Sequence, residues 1–215
     1  MSPEEFQSAS NVSRETMDRL KVYAGLLIKW QKAINLVGKN TLPDLWQRHM
    51  MDSAQLFGIA REIVEGRGPE TRSLADSIWL DLGSGAGFPG LVIAIITGLE
   101  THLVESDSRK SAFLREVIRQ TDATAEIHTG RAETITPWFS HIVTARAVAP
   151  LPKLMAYAHP FIGPTTDIDT PSCLFLKGVN WREELTEAEK SWHIQCQNVV
   201  SITDPAGRIL IIRNP

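Results

Sequence analysis

One glycine-rich segment carries the clearest chemical signal in the chain. Asp81 ends an apolar run, and the sequence continues L-G-S-G-A-G-F-P-G as far as Gly90. Small residues at such a turn let a ligand contact the backbone, and a helix beginning directly afterwards offers unpaired N–H groups. Glu105 follows Gly85 by twenty residues and ends the next apolar run. Its two oxygens can accept hydrogen bonds from both hydroxyl groups of a ribose, which predicts a nucleoside-containing cofactor.

Two classes of cofactor fit these glycines. From Gly85 to Gly90 the segment matches G-x-G-x-x-G, the dinucleotide fingerprint, so a nicotinamide-dependent dehydrogenase remains open. Asp81 favours the other class, because a carboxylate beside the loop would repel a pyrophosphate. S-adenosylmethionine has no phosphate and carries two positive groups, which a carboxylate attracts directly or through water. The segment therefore predicts an S-adenosylmethionine-dependent methyltransferase. The predicted cofactor-binding residues here are Asp81, Gly83, Ser84, Gly85, Gly87, Phe88 and Glu105.

The elements that must position this loop alternate between strands and helices. We predict strands at 78–82, 101–105, 125–129, 141–145 and 173–177, with a helix at 89–96 and a basic helix that follows the second strand and ends at about residue 120. Near the end, 199–203 and 208–212 flank the turn 204–207 and predict a hairpin. This order predicts an α/β, Rossmann-like class I methyltransferase sheet that is mostly parallel, with a C-terminal antiparallel hairpin.

The first third of the chain has a different pattern. Apolar residues from 12 to about 59 fall at helical spacing, with a stripe at Met17, Leu20, Ala24, Leu27, Ile28 and Ile34. Ser13 is a candidate N-cap, and a second helix is predicted to begin near Pro43. Residues 65–76 are rich in glycine, proline and charge, which is typical of a linker. We predict a helical extension at 1–65 packed on a methyltransferase core at 76–215, in one compact domain.

Composition excludes several other classes. The chain has 215 residues, a net charge of −3 and a hydrophobic fraction of 43%. No apolar run reaches the roughly 18 residues that a membrane span needs, and the acidic N-terminus does not resemble a secretory signal. Cys173 and Cys196 are too few for a disulfide framework or a zinc site, so we predict no metal site. A cytoplasmic protein, most simply a monomer, is expected.

Basic residues are clustered although the protein as a whole is mildly acidic. Seven lysines and arginines lie between residues 14 and 48 against three acids, and four lie between residues 101 and 119. Clustered cations are what phosphate binding requires, so a local basic face for nucleic acid is open. Solvated helix faces explain each cluster equally well.

Several further motifs resemble one family, the bacterial 16S ribosomal RNA guanine-N7 methyltransferases, also called glucose-inhibited division protein B. Residues 30–36, W-Q-K-A-I-N-L, are similar to the family's W-x-x-x-I-N-L, and residues 48–53, R-H-M-M-D-S, to its K/R-H-x-x-D-S. Residues 83–90 resemble G-x-G-x-G-F-P-G. The matches continue in the expected order through E-S, F-L-R, R-A-E, A-R-A and L-K-G, the last ending at Gly178.

The resemblance implies methyl transfer from S-adenosylmethionine, leaving S-adenosylhomocysteine, to N7 of one guanine in the small ribosomal subunit. It implies cofactor contacts at Gly83, Phe88, Ala132, Glu133 and Arg146. The chain departs from the family in three places. Glu105 replaces the usual Asp, Val148 replaces a frequent Phe, and residues 164–172 form an atypical insert. These departures bear on substrate geometry rather than on the reaction class.

The chemistry of N7 narrows the search for catalytic residues. This nitrogen has an in-plane lone pair, so methylation needs no general base, and alignment with exclusion of water should supply catalysis. Arg146, at the end of the fourth predicted strand, is our candidate for orienting the base or the cofactor; a structural ion pair is its alternative role. His49 could pair with Asp52 or contact RNA. The candidate RNA-binding residues are Arg48, His49, Arg109, Lys110 and Lys177.

Other functions stay open on the sequence alone. A methyltransferase acting on a small molecule or on another RNA would keep the same loop but would not need the basic helices. A non-catalytic RNA-binding or assembly factor could keep the same fold. The complete set of Asp81, three glycines and Glu105 speaks against such a factor, because only the cofactor requires it.

Overall fold

The computed structural model describes residues 1–66, 73–163 and 171–213. The helices are α1 Pro3–Ser10, α2 Arg14–Trp30, α3 Asp52–Glu65, α4 Gly90–Thr97, α5 Ser108–Thr121, α6 Leu151–Ile162 and α7 Trp181–Ala188. The strands are β1 Trp79–Leu82, β2 Thr101–Glu105, β3 Ala125–Thr129, β4 Ile142–Arg146, β5 Ser172–Lys177, β6 Gln195–Val200 and β7 Arg208–Arg213. A π-helical turn, Trp46–Met51, leads into α3, and short 3₁₀ turns lie at Lys39–Thr41, Leu74–Asp76 and Ala132–Thr134.

The seven strands form one sheet in the order β3-β2-β1-β4-β5-β7-β6. The first five in this order are parallel to one another, and β7 runs antiparallel to both β5 and β6. The predicted α/β class, with a mostly parallel sheet and a C-terminal antiparallel hairpin, is confirmed. In such a sheet ligands bind at the carboxyl ends of the strands, near the point where the strand order reverses. That point lies between β1 and β4.

Both faces of the sheet are covered. On one face Leu80 and Leu82 pack with α6, while Trp79 on the opposite face packs with α3 and α4. Helices α1 and α2 share a third cluster with α4 and α5, in which Tyr23 and Phe113 are fully buried. The N-terminal helices are therefore attached through their own apolar side chains, which is what the predicted extension at 1–65 requires.

Local capping explains several helix boundaries. The Ser13 hydroxyl accepts a hydrogen bond from the Thr16 N–H at 3.0 Å, as predicted for an N-cap. Asp107 does the same for α5, accepting from the N–H groups of Arg109 and Lys110. One member of the predicted apolar stripe does not face the core, since Ile28 is 48% exposed. The buried arc of α2 instead includes Tyr23 and Leu26.

Two predicted boundaries are wrong. No regular helix begins near Pro43, because the Asp44 and Leu45 N–H groups bond to the carbonyls three residues earlier, which makes turns. The helical segment begins instead at Trp46. The first hairpin strand spans Gln195–Val200 rather than 199–203. Its alternating pattern is weak because it is an exposed edge strand.

Other predictions fall partly outside the described residues. Most of the predicted linker, residues 67–72, and most of the predicted insert, residues 164–170, lie there. In the described ranges no helix is both long enough and apolar enough to cross a bilayer.

Candidate active site

The glycine loop lies between β1 and α4, at the carboxyl edge of the sheet. Gly83 and Gly85 have φ values of 64° and 57°, in the left-handed region that glycine adopts without strain. A Cβ at Gly83 would lie 2.6 Å from Val148 Cγ2, so glycine is also required by close packing there. At Gly85 the nearest atom to such a Cβ, the Gly83 oxygen, is 3.7 Å away, which leaves open space in front of the backbone.

Asp81 is fully buried behind this loop. Its Oδ2 accepts from the Gly90 N–H at 3.2 Å, and its Oδ1 accepts from the Thr144 hydroxyl at 2.9 Å. The carboxyl group thus ties β1 to the start of α4 and to β4. Burial raises the pKa of Asp81 to about 6, although three hydrogen bonds oppose that rise. Because its carboxyl group is buried, Asp81 would act on a ligand by positioning the loop and by its charge, and not by direct contact.

Glu105 braces the loop from the neighbouring strand. Its Oε2 accepts from the Gly85 N–H and its Oε1 from the Asp107 N–H, both at 2.7 Å. Ser84 completes the brace, since its hydroxyl donates to the Asp81 carbonyl at 3.0 Å. Each carboxylate oxygen of Glu105 has a second lone pair, so the predicted ribose contact stays compatible with these bonds.

A cavity of about 410 Å³ opens in front of the loop. Its lining includes the predicted residues Gly83, Ser84, Gly85, Phe88, Arg48, His49, Lys110 and Arg146. It also includes Leu36, Val37, Gly38, Thr41, Asp52, Ala86 and Ala147, which were not predicted. The predicted cofactor residues Asp81, Gly87, Glu105, Ala132 and Glu133 lie outside this lining. This volume is within the range typical of small-molecule sites, about 300–1,000 Å³.

Ala132 and Glu133 belong to the loop that follows β3. They form a 3₁₀ turn with Thr134, and Glu133 is exposed. The Gly130 N–H just before this turn donates to the Glu105 carbonyl at 2.9 Å. The turn is thus attached to the strand end that carries Glu105, on the same edge of the sheet as the cavity.

Arg146 stands at the centre of a polar cluster at the end of β4. Its guanidinium donates to Asp52 Oδ2 at 3.3 Å, to the Arg48 carbonyl at 3.2 Å and to His49 Nδ1 at 2.9 Å. The same group lies 5.0 Å from the centre of the Phe88 ring, a cation–π distance. Two roles for Arg146 were open from the sequence, a structural ion pair and orientation of a ligand. The side chain forms an ion pair with Asp52 and also lines the first cavity, so the geometry accommodates both roles.

His49 is neutral and held at both ring nitrogens. Burial, together with the nearby guanidinium groups of Arg146 and Arg48, lowers its pKa to about 3. Because Nδ1 faces the donating Arg146, Nε2 carries the proton and donates to the Thr41 hydroxyl at 2.8 Å. The local pair with Asp52 that the spacing suggested does not form. Asp52 instead binds Arg146 and accepts from the Thr203 hydroxyl at 2.6 Å.

A second cavity of about 420 Å³ adjoins the first. The two share Arg48, Asp52, Arg146 and Ala147. The rest of the second lining comes from the loop after β4, the end of β5, helix α7 and the turn before β7, namely Val148, Ala149, Pro150, Leu176, Lys177, Gly178, Glu184, Ser201, Thr203, Asp204, Gly207 and Arg208. Arg146 and Asp52 therefore form a wall between two neighbouring spaces.

The candidate RNA-binding residues are in unlike positions. Lys177 lines the second cavity, but its ammonium group binds Glu184 at 2.7 Å and the Ala149 carbonyl at 2.8 Å, and its side chain is 7% exposed. This buried ion pair leaves Lys177 poorly placed for phosphate. Arg109 is exposed beside Asp107, while Lys110 and Arg48 line the first cavity.

Two residues that hold the lining of the first cavity in place were not identified from the sequence, namely Tyr23 and Gln31. The Tyr23 hydroxyl donates to the Ala86 carbonyl, and the Tyr23 ring stacks on Phe88 at 5.3 Å. The Gln31 side chain accepts from the N–H groups of Leu36 and Val37 and donates to the Val37 carbonyl. Gln31 and Asp52 both lie inside motifs singled out above, but spacing does not say which motif residues turn inward.

Comparisons with known proteins agree with this geometry. The family model described as GidB, rRNA small subunit methyltransferase G, matches residues 16–210. The protein named ribosomal RNA small subunit methyltransferase G from Paramagnetospirillum magneticum is 48% identical over 99% of this chain and 96% of its own. The protein of that name from Rhodospirillum centenum is 49% identical over 96% of this chain and 88% of its own.

Solved structures give the fold. A crystal structure of MtNAS in complex with MTA and tNA has a TM-score of 0.58 and is 12% identical, covering all of this chain and 83% of that one. At that identity the likeness concerns the fold alone. The sequence relatives cover nearly the full length, and they confirm the resemblance carried by the motifs. The chain therefore belongs to the ribosomal RNA small subunit methyltransferase G family.

Proposed function

We propose that this chain transfers a methyl group from S-adenosylmethionine to N7 of a guanine in 16S ribosomal RNA. Family membership supports a ribosomal RNA substrate, because the full-length relatives carry that activity in their names. One observation in the structure supports the cofactor best. The two loop amides that would face a phosphate are each bonded to a carboxylate of the chain itself.

The carboxylates select against a dinucleotide. In a pyrophosphate site the N–H groups of the glycine loop and of the helix N-terminus point at the anion. Here the Gly85 N–H is bonded to Glu105 and the Gly90 N–H to Asp81. Carboxylates at those positions repel phosphate and attract cations. A cofactor with sulfonium and ammonium groups therefore fits this loop better than a nicotinamide dinucleotide does.

Several groups in and beside the first cavity would suit such a cofactor. Space in front of Gly85 admits a ligand to the backbone, and the spare lone pairs of Glu105 can receive ribose hydroxyls. Leu36, Val37 and Ala86 give the cavity an apolar side for a purine ring. When bound, S-adenosylmethionine supplies a methyl group activated by the positive sulfur.

The second cavity is our candidate for the acceptor base. A guanine there would meet the first cavity across the wall that Arg146 and Asp52 form. Arg146 would orient it with a planar guanidinium, itself fixed by three hydrogen bonds. N7 already has a lone pair, and neutral His49, engaged at both nitrogens, is not free to act as a base. Alignment and exclusion of water would supply catalysis.

RNA contact is assigned to the exposed basic residues around the cavities. Arg48 and Lys110 line the first cavity, Arg109 is exposed next to Lys110 at the start of α5, and His49 would act indirectly by holding Arg146. Lys177 is assigned a different role from the one predicted. Its ion pair with Glu184 holds the side of the second cavity.

The test uses small ribosomal subunits that lack native methylation. They are incubated with the protein and tritiated S-adenosylmethionine, and any N7-methylguanine is mapped by borohydride–aniline cleavage. A single cleavage in the 16S ribosomal RNA is expected. Tritium in the RNA without cleavage would overturn the N7 assignment. No incorporation with cofactor binding intact would favour the alternative, a methyltransferase of small molecules or of another RNA.

A further inference from the structure

Three potential metal ligands meet on one face of strands β2 and β3, outside the linings of the two cavities. His102 lies on β2 opposite Glu126 on β3, and His128 follows two residues later along β3. Side chains alternate along a strand, so all three point to the same face. Sequence spacing alone predicts no metal site here, because the three residues come from two strands and none is a cysteine.

The ligand atoms lie close to the spacing of a tetrahedral zinc site, with one pair closer and two pairs farther apart than such a site has. His102 Nδ1 lies 2.9 Å from His128 Nε2 and 4.0 Å from Glu126 Oε2. His128 Nε2 lies 3.9 Å from Glu126 Oε1. Zinc bonds of about 2.0–2.2 Å at tetrahedral angles separate ligand atoms by roughly 3.3–3.6 Å. Small side-chain rotations would bring the three atoms to that spacing.

A fourth side chain sets the histidine tautomer. His102 Nε2 lies 3.1 Å from Glu100 Oε1, so that nitrogen carries the proton and Nδ1 presents its lone pair to the cluster. Histidines that bind metals commonly donate their other N–H to a carboxylate in this way. In the direct contact between the two rings, the N–H at His128 Nε2 therefore donates to His102 Nδ1. Moving that proton to His128 Nδ1 frees Nε2 for a metal without changing the charge.

The site is partly buried and open to solvent on one side. The His102 and His128 side chains are 12% and 20% exposed. Trp138 packs on both imidazoles, with ring centres 4.8 and 4.3 Å away. Glu126 is 68% exposed, which leaves a path for an ion from solvent.

We propose that His102, His128 and Glu126 form a binding site for a divalent transition metal of the zinc class, with the fourth position open to water. A bound ion would join the edge strand β3 to β2. The chain leaves β3 one residue after His128 and reaches the turn Ala132–Thr134 beside Glu105. The metal would therefore hold this loop in place, and it takes no part in methyl transfer.

The test titrates zinc chloride into untagged, chelator-treated protein by isothermal titration calorimetry. One equivalent is expected, with a higher thermal transition in its presence. Glu126→Gln should weaken binding about tenfold and His128→Gln at least about 100-fold. His193→Gln, which removes an exposed histidine elsewhere, is the matched control and should bind as the parent does. Nickel should quench tryptophan fluorescence, and Trp138→Phe should lose most of that quenching.

Three results would overturn the proposal. One is the absence of zinc binding in the parent chain. Another is binding of equal strength in folded His128→Gln, with circular dichroism confirming the fold. The third is equal weakening in His193→Gln and Glu126→Gln, which would assign the ion to scattered surface histidines. The exposed Glu126 variant keeps the test decisive even if a histidine variant fails to fold.

Discussion

The two sides of the first cavity are built in different ways. The loop side consists of residues 81–90, which are contiguous in sequence, together with Glu105. Its backbone N–H groups donate hydrogen bonds to the carboxylates of Glu105 and Asp81. The opposite side, around Arg146, joins side chains that are 94 and 97 residues apart. The loop side depends on backbone conformation and charge. The Arg146 side depends on hydrogen bonds between buried side chains and on their protonation states. The two sides should therefore respond differently to mutation and to pH.

The loop side should be broken most completely by Gly85→Val. A β-branched residue at a φ of 57° is strained, and its side chain would enter the cavity. We expect S-adenosylmethionine affinity to fall roughly 1,000-fold, about 4 kcal/mol. Gly98→Val is the control, because Gly98 has a φ of 71° but nothing within 4 Å of its Cβ position. Equal losses of S-adenosylmethionine affinity in both variants, measured by calorimetry, would contradict the proposed role of the glycine loop in cofactor binding.

His49 tests the Arg146 side through acid. The folded pKa of His49 is lowered to about 3, so the unfolded chain takes up this proton first as pH falls below about 6.5. Stability contributed by neutral His49 is present above that pH and is lost on acidification. Between pH 7 and pH 4 the loss should be on the order of 3 kcal/mol.

The measurement is the difference in unfolding free energy between the parent and His49→Gln. That difference should move in favour of the variant by this amount as the pH falls from 7 to 4. A constant difference would mean that His49 is not held neutral by its surroundings.

Asp81 should show the opposite pH dependence on the loop side. Its folded pKa is raised to about 6, so the folded chain keeps the proton longer, and stability falls as pH rises through that value. From pH 4 to pH 8 the loss should be on the order of 2 kcal/mol. Asp81→Asn should therefore gain stability relative to the parent over this range.

The same variant should bind S-adenosylmethionine about tenfold more weakly, because a charge that attracts the cation is gone. Denaturant titrations at the two pH values and calorimetry at pH 8 check both effects. Unchanged affinity at pH 8 would show that Asp81 acts only by holding α4.

Arg146→Lys should lower catalysis more than it lowers cofactor affinity, because the two cavities have different proposed occupants. The lysine keeps the positive charge but loses the planar set of bonds to Asp52 and His49. We expect kcat on the small subunit to fall about tenfold, near 1.4 kcal/mol, with S-adenosylmethionine affinity changed less than about threefold. Equal losses in kcat and in cofactor affinity would place Arg146 on the cofactor instead of the base.

The smallest effect is expected from Arg109→Ala, outside both sides of the cavity. Its side chain is 73% exposed and pairs with Asp107 at 3.4 Å, so stability should not change. If it contacts a phosphate, the salt dependence of small-subunit binding should fall by about one charge. Lys177→Met is the comparison, because that buried lysine should change stability and leave the salt dependence unaltered. Filter binding at several salt concentrations measures both.

The same contrast explains what could be predicted from the sequence. Strands β2 and β3 were predicted at their observed bounds, and the glycine loop at its position, because each is encoded by neighbouring residues. The edge strand β6 was misplaced, since its exposed residues lack an apolar pattern. The partner of His49 was missed because it comes from β4, while spacing suggested Asp52.

The site was predicted in the same uneven way. Of the predicted cofactor-binding residues, Gly83, Ser84, Gly85, Phe88 and Arg146 line the first cavity, and their contact with the cofactor stays a prediction. Asp81 was identified from its charge, but its full burial depends on α4 and β4 packing over it, which no local pattern reports. Tyr23 holds the lining residue Ala86, and Gln31 holds the lining residue Val37. These contacts can be predicted only when the position of α2 is known.

The most direct measurement compares cofactor classes on the parent chain. Equilibrium dialysis with S-adenosylmethionine, S-adenosylhomocysteine and NAD tests whether carboxylates on the loop amides select a cofactor without phosphates. We expect one equivalent of each adenosyl compound to bind and NAD to show no saturable binding. Saturable binding of NAD that displaces S-adenosylmethionine, or no binding of either adenosyl compound to folded protein, would contradict the account.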